Sequence, residues 1–141
     1  MESWLRRIRK FFAYSFQEQV LIIKAFGVVL LIRLGLKLLS FGQFRHLYAS
    51  LLRPTNATIT PDNRINQFVW AIECVSYSLS AVCLPQALAL KFFLRKDHSA
   101  EIVIGVDTQE GFSAHAWVEK NGKVLIGDSP QIHFQPIWKW Q

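Results

Sequence analysis

Two cysteines are all that the 141-residue sequence contains, and no group of metal-binding residues accompanies them. Two thiols are too few for a disulfide framework, and with no convincing secretion signal we expect a protein of the reducing cytoplasm. The four histidines have no zinc-type spacing to the cysteines, and the sequence has no glycine-rich phosphate loop. The sequence therefore predicts no bound metal, no ATP site and no cofactor.

The sequence also lacks a long uncharged apolar run, although 51% of its residues are hydrophobic. In its most apolar stretch the longest uncharged run covers only residues 25–32, between Lys24 and Arg33. A membrane span needs about 20 apolar residues. We therefore expect a helix that packs on several sides, against its own domain or a partner protein, and a membrane contact that is peripheral at most.

Acidic residues are scarce in the first part of the chain. Residues 1–53 contain nine Lys/Arg and two Glu, a net charge of +7, whereas the remainder contains seven Lys/Arg and eight Asp/Glu. The basic segment indicates an acidic partner or the anionic inner surface of a membrane, or else a helix face that only contacts water. No nucleic-acid partner is predicted.

The N-terminal segment is predicted to be helical. Apolar residues at helical spacing, separated by Arg and Lys, predict a basic amphipathic helix over residues 4–16. Ser15 and Glu18 fit a capping box. A second helix should therefore begin at Phe16 and run to about Leu39.

A polar segment with two prolines then separates this helical part from the rest of the chain. Such a segment lacks the periodicity of a helix or strand and is typical of a loop. We accordingly divide the chain into an N-terminal helical extension, residues 1–53, a loop, residues 54–64, and a core domain, residues 65–141.

Cys83 lies at the predicted start of a helix. Pro85 has no amide hydrogen and is accepted only in the first turn of a helix, whereas residues 87–94 are strong helix formers. The helix should therefore begin at Cys83 or Leu84, where the helix dipole and unpaired amides favour a thiolate and can receive an oxyanion. Cys74 lies inside the preceding predicted helix and is interpreted as a buried, unreactive thiol.

Asn121-Gly122 predicts a β-hairpin, because both residues tolerate the positive φ of a two-residue type I′ turn. Counting outward one residue at a time along each strand places His115 directly opposite Asp128. Side chains in such a pair have Cβ atoms roughly 4.5–5.5 Å apart. A carboxylate at this distance would fix the tautomer of the imidazole and leave its other nitrogen for chemistry. The hairpin thus predicts two of the three residues of a nucleophilic triad.

The predicted fold is α+β, with the N-terminal helices followed by the Cys83 helix packed on a small antiparallel sheet. In the middle strand His115 and Trp117 share one face because they are two residues apart. The aromatic tail is expected to cover the core. The three predicted strands and the tail are residues 101–106, 112–120, 123–128 and 130–141.

Cys83, His115 and Asp128, in this chain order, resemble the triad of the transglutaminase-like branch of papain-fold enzymes. The segments CLPQALAL, EIVIGV and FSAHAWVEKNGKVLIGD resemble more closely the lasso peptide biosynthesis B2 proteins, the stand-alone leader peptidases of bacterial lasso peptide clusters. The resemblance extends to SFQEQVLIIKAF and VWAIECVSYSLS and so covers most of the chain.

This resemblance implies a cysteine protease that removes the leader from a ribosomally made precursor peptide. Cys83 would attack the scissile carbonyl, His115 would accept and return the proton, and Asp128 would orient His115. The Cys83 amide would be one oxyanion donor, and Gln86 and Trp117 are further candidates for oxyanion or substrate contacts by position only.

The resemblance also implies partners. No leader-recognition domain precedes the core, which is similar to the split arrangement in which a separate small B1 protein binds the leader. An ATP-dependent lasso cyclase would then use the amine that cleavage frees. Two alternatives stay open on the residues alone: an acyltransferase or transglutaminase-like enzyme with the same triad, and a non-catalytic basic docking protein.

Overall fold

The computed structural model describes residues 2–53, 56–109, 111, 113–127 and 135–140. These residues form five helices and one four-stranded antiparallel sheet, which confirms the predicted α+β class. The helices are α1 (Glu2–Ala13), α2 (Phe16–Leu38), α3 (Phe41–Leu51), α4 (Asp62–Leu79) and α5 (Cys83–Phe93), and the strands are β1 (Ala100–Asp107), β2 (Ser113–Lys120), β3 (Lys123–Ile126) and β4 (Gln135–Trp140).

The capping box at the start of α2 is present. The Ser15 hydroxyl accepts a hydrogen bond from the Glu18 amide at 3.4 Å, and the Glu18 carboxylate accepts from the Ser15 amide at 2.8 Å. Hydrogen bonds from the Ser15 amide and then the Ser15 hydroxyl to this carboxylate lower the pKa of Glu18. The prediction that a second helix begins at Phe16 is therefore confirmed, because both amides that the helix start leaves unpaired have found partners.

A second capping box, which sequence analysis missed, separates α2 from α3. Ser40 accepts from the Gln43 amide at 3.3 Å, while the Gln43 side chain accepts from the Ser40 amide at 3.1 Å. The Ser-x-x-Gln spacing is itself a signal for a helix start. α3 contacts α5 through Tyr48, whose buried hydroxyl donates to the Leu88 carbonyl at 2.5 Å.

One core joins the N-terminal helices to the sheet. α2 buries a single face, formed by Leu21, Ala25, Val29 and Ile32, against α4 and α5. The middle of α5, residues 87–90, is at most 4% exposed, as expected for a helix that is apolar on all sides. The division of the chain at residue 53 stays a prediction, and α2 shares this core with the elements on the other side of that boundary.

The sheet has the strand order β3-β2-β1-β4. α5 covers one face of it, formed by alternate residues such as Ile102 in β1 and Val118 in β2. The tail does not simply cover the core, because β4 pairs with the outer edge of β1. Pro136 lies in this edge strand at a register shift, where a missing amide hydrogen is tolerated.

A buried ion pair fixes the loop before α4 to the end of β2. Lys120 Nζ lies 2.8 Å from Asp97 Oδ2 and 2.9 Å from the Thr60 carbonyl, and the Thr60 amide donates to the same carboxylate. Burial alone would raise the pKa of Asp97, but hydrogen bonds from Lys120, Ser99 and Thr60 outweigh it and lower the pKa to about 2. The carboxylate therefore stays ionised inside the fold.

Candidate active site

Cys83 is the first residue of α5, as predicted. Val82 precedes it as the N-cap with extended backbone, φ −96° and ψ −165°, and its side chain makes no capping hydrogen bond. Pro85 occupies the third helical position, where its missing amide hydrogen costs nothing. The first amides of a helix have no intrahelical acceptor, so the thiol of Cys83 lies beside donors that can stabilise negative charge.

The direction of α5 over the sheet is defined at both of its ends. Near its C-terminal end, Lys91 Nζ donates to the Ala100 carbonyl at 2.6 Å, at the start of β1. Near its N-terminal end, Leu84 lines a small apolar cavity together with Ile104, four residues further along β1. α5 therefore runs antiparallel to β1, and Cys83 lies above the C-terminal half of that strand.

His115 lies at the same end of the structure. Ile104 pairs with Ala116, and Gly105 pairs with His115, in the antiparallel ladder between β1 and β2. Cys83 and His115 are both half-buried. Ala116 faces the core, so the alternation of the strand turns His115 to the other side.

The predicted hairpin turn is confirmed, but its register is not uniform. Asn121 and Gly122 have φ of 51° and 78° and form the two-residue loop, with Lys120 paired to Lys123. The next pair also agrees with the prediction, but Val118 then pairs with Ile126 instead of Leu125. A β-bulge in β3 adds one residue at this point.

The bulge contradicts the predicted register at Val118, which pairs with Ile126, and the count that set Asp128 opposite His115 passes through this point. Each residue of β3 beyond the bulge is displaced by one position along β2. Asp128 itself lies outside the described residues, so its role as the orienting carboxylate stays a prediction.

Gly127 supplies a partner for His115 that sequence analysis missed. His115 Nε2 lies 3.0 Å from the Gly127 carbonyl oxygen, so a protonated Nε2 donates to it. A neutral ring in this tautomer carries its basic lone pair on Nδ1. A glycine at the end of a strand is a signal for a close backbone approach, and here the carbonyl helps to orient the imidazole.

Only glycine fits at position 127. Its φ is +88°, and a Cβ there would lie 2.5 Å from the Ala116 carbonyl oxygen and 2.8 Å from the Trp117 Cα. Both contacts are with backbone atoms, which cannot move away without shifting the strand. The contact between β3 and β2 that brings the Gly127 carbonyl to His115 therefore requires the absence of a side chain.

Trp117 stacks beside His115 and is held by a charged neighbour. The two rings are 6.1 Å apart at an interplanar angle of 24°. The indole N–H of Trp117 donates to Glu119 at 3.2 Å, and Lys139 of β4 pairs with the same carboxylate at 3.1 Å. Contacts therefore connect Lys139 of β4, through Glu119, to the Trp117 ring that packs beside the imidazole.

Gln86 and Trp117 both direct their side-chain donors to acceptors within the protein. Gln86 Nε2 donates to the Ala81 carbonyl at 3.2 Å, just before α5, and the indole of Trp117 donates to Glu119. A role for either residue as an oxyanion donor stays a prediction. In this geometry Gln86 ties the loop that carries Val82 to the helix.

Cys74 lies inside α4 as predicted, but it is exposed and not buried. It lines an open surface between α1, α2 and α4. Partial burial of the thiol and, next, the charge of Glu73 raise its pKa. Cys74 is therefore held as a neutral thiol, the less reactive form, although the reason differs from complete burial.

The comparison with protein families agrees with this architecture. A family model described as the transglutaminase-like superfamily matches residues 28–139, from the middle of α2 to β4. No curated protein and no solved structure matches the chain significantly. Because the model covers most of the chain, the protein belongs to the transglutaminase-like superfamily, whose members are typically cysteine peptidases or transglutaminases.

Proposed function

We propose that the protein is a cytoplasmic cysteine peptidase that removes the leader from a lasso peptide precursor. The observation that carries the proposal is that Cys83 begins a buried helix whose N-terminus lies at the same end of the sheet as His115. The transglutaminase-like family supports acyl chemistry at a cysteine, and the resemblance of the sequence to lasso B2 proteins supports the peptide substrate.

In the proposed reaction the Cys83 thiol gives its proton to His115 and attacks the carbonyl at the leader–core junction. The C–S bond forms, the amide oxygen becomes an oxyanion, and the amides at the start of α5 stabilise it. His115 then returns the proton to the departing nitrogen as the C–N bond breaks. The core peptide leaves with a free N-terminal amine, and the leader remains as a thioester.

Water completes the reaction. His115 accepts a proton from the water molecule that attacks the thioester, and the leader leaves as a carboxylate while the thiol is regenerated. The Gly127 carbonyl accepts from Nε2, and in the triad that we propose Asp128 shares this same proton, so that Nδ1 is left to take the proton of the thiol. Because Ala116 faces α5 and His115 points away from it, this mechanism requires the imidazole to meet the thiol around the end of β2 in the substrate complex, and that contact is part of the proposal.

Two proteins act beside this one in the proposed pathway. A separate leader-binding B1 protein presents the precursor, and an ATP-dependent lasso cyclase joins the freed amine to a side-chain carboxylate of the core peptide. Hydrolysis must therefore deliver a core peptide with an unmodified N-terminus. An acyltransferase with the same triad would instead pass the leader to an amine.

Mass spectrometry of a precursor peptide incubated with this protein and the leader-binding protein tests the proposal. We expect two fragments, a core peptide with a free amine and a leader with a free carboxylate. His115→Ala and Cys83→Ala should release neither fragment, whereas the matched Cys74→Ala should process the precursor normally. A leader mass raised by an added small amine would indicate acyl transfer, and an unchanged precursor would contradict both enzymatic functions.

A further inference from the structure

The amphipathic helix α1 exposes part of its apolar face. Trp4, Leu5 and Phe12 are 64%, 53% and 71% exposed, whereas Ile8 and Phe11 are half-buried. The helix also carries four basic residues. A helix with tryptophan and phenylalanine on one side and Lys/Arg on the other is typical of helices that lie in a membrane interface. The basic residues are Arg6, Arg7, Arg9 and Lys10.

Specific contacts hold α1 in this orientation. Arg7 donates to the Ser78 hydroxyl at 3.0 Å and lies over the Tyr77 ring at 4.3 Å, near the end of α4. Tyr14, just after α1, meets Trp70 edge to face at a centroid distance of 5.1 Å. The outward direction of Trp4 and Phe12 is therefore part of the packed fold.

An open apolar trough of about 870 Å³ separates α1 from α2 and α4. Trp4, Phe12, Phe26 of α2 and Tyr77 of α4 are among its lining residues, and each of these four is more than 40% exposed. Further large apolar residues are exposed on α2, and three of them line a second cavity beside α4 and α5. Exposed apolar residues in such numbers mark an interaction site, whereas isolated ones are ordinary. The additional α2 residues are Phe16, Ile23, Leu31, Leu34 and Leu38.

The charge of this region identifies the kind of partner. Residues 1–53, which contain α1 to α3, have a net charge of +7. Lys10 lines the trough, and Lys24 and Arg33 are exposed on α2. An apolar surface beside clustered cations complements an anionic lipid bilayer, in which acyl chains take the aromatic side chains and headgroups take the cations.

The packing of α2 favours a peripheral position over a membrane span. α2 has 23 residues and a mean hydropathy of 2.1 in its most apolar window, which is long and apolar enough to cross a bilayer. However, Leu21, Ala25, Val29 and Ile32 are at most 7% exposed in the shared core. A spanning α2 would have to leave α4 and α5, whereas an interfacial one exposes only its outer face to lipid.

We propose that α1 and the outer face of α2 bind the surface of an anionic lipid bilayer without crossing it. Trp4 and Phe12 enter the interface, and Arg6 and Arg9 contact lipid headgroups. Ser78, to which α1 is bound, precedes Cys83 by only five residues. Docking therefore holds the candidate active site beside the membrane surface. The binding of lipid does not depend on the reaction catalysed at that site.

Sedimentation with lipid vesicles tests the proposal. The full-length protein should bind vesicles of phosphatidylglycerol and phosphatidylethanolamine, should bind phosphatidylcholine vesicles weakly, and should dissociate at high salt. Each Lys or Arg near an anionic surface accounts for roughly a fivefold change in affinity. Arg6→Glu/Arg9→Glu should therefore weaken binding by about 30-fold or more.

The matched control is Lys96→Glu/Lys123→Glu. It changes the net charge by the same amount at two exposed positions away from α1, and it should bind almost as the unmodified protein does. Equal losses in both double variants would show that only net charge matters and would overturn the docking surface. Absence of binding to anionic vesicles would also overturn it and would leave an acidic protein as the partner.

Two further measurements address depth and specificity. Brominated lipids should quench the fluorescence of the bound protein, and Trp4→Phe should remove most of that quenching. Alkaline carbonate should release the protein from vesicles, whereas resistance to carbonate would contradict the peripheral position. Cleavage of a soluble precursor should survive Arg6→Glu/Arg9→Glu, so a failure of docking is distinguishable from a failure of the proposed peptidase function.

Discussion

Gly127→Ala tests whether the backbone approach of β3 orients His115. A non-glycine residue in the left-handed region costs about 1–2 kcal/mol. The new Cβ would also lie 2.5 Å from the Ala116 carbonyl oxygen. Forcing an extra methyl group into a packed site typically costs about 1–3 kcal/mol more. We therefore expect the free energy of unfolding to fall by about 2–5 kcal/mol.

Gly122→Ala is the matched control for this substitution. Gly122 also has a positive φ, +78°, but nothing lies within 4 Å of the position that its Cβ would take. The free energy of unfolding of Gly122→Ala should therefore fall only by the cost of a positive φ for alanine, about 1–2 kcal/mol. The difference between the two variants in urea unfolding therefore measures the close contact of Gly127 with β2.

The effect on catalysis follows from the 3.0 Å bond between His115 and the Gly127 carbonyl. A hydrogen bond to a charged group contributes about 1.5–3 kcal/mol, and the ring is charged after it takes the thiol proton. Loss of that bond should lower kcat by about 10- to 150-fold, with little change in KM. Assays of peptide cleavage under conditions where both variants are folded measure this. A folded Gly127→Ala with normal kcat would refute the orienting role.

Three other predictions follow from the same structure. A thiol-alkylating reagent at neutral pH should label Cys83 before Cys74, despite the exposure of Cys74, because the pKa of the latter is raised; preferential labelling of Cys74 would contradict Cys83 as the nucleophile. Asp128→Asn should cut turnover by up to about 10⁴-fold, and less if the thiolate forms unaided, whereas a normal rate would remove Asp128 from the triad. The lowered pKa of Asp97, about 2 against 3.8, stabilises the fold above about pH 4 by roughly 2 kcal/mol and loses this contribution as pH falls towards 2. Unfolding of Asp97→Asn should therefore depend less on pH over that range, and an unchanged pH dependence would show that the ion pair with Lys120 is not the cause.

Two helix starts and one turn could be predicted from short stretches of sequence, because neighbouring residues decide their backbone conformation. The capping box of Ser15 and Glu18 lies within four residues, and the start of α5 at Cys83 follows from the covalent structure of Pro85 two residues later. The turn at Asn121-Gly122 depends on the φ values that these two residues tolerate. In each case the residues that decide the backbone conformation are neighbours in the chain, so sequence alone was sufficient.

The bulge in β3 and the pairing of β4 depend on contacts between distant parts of the chain. The hydrophobic pattern of KVLIGD is compatible with a regular strand, and the extra residue is visible only in the pairing of Val118 with Ile126. β4 pairs with β1, a strand that begins 35 residues earlier in the chain than β4 does. Neither pairing follows from the local conformational preferences of the residues involved. Each depends on which strand edges meet when the sheet assembles.

For the candidate site, the sequence by itself determined Cys83 at a helix start and His115 on a strand beside a tight turn. Only the tertiary structure decided that the N-terminus of α5 and His115 lie at the same end of the sheet, and that the Gly127 carbonyl contacts the imidazole. It also decided that Cys74 is exposed and that α2 has an uncovered apolar face. The physical reason is that the local backbone conformation depends on neighbouring residues, whereas burial and approach depend on how complete elements pack against one another.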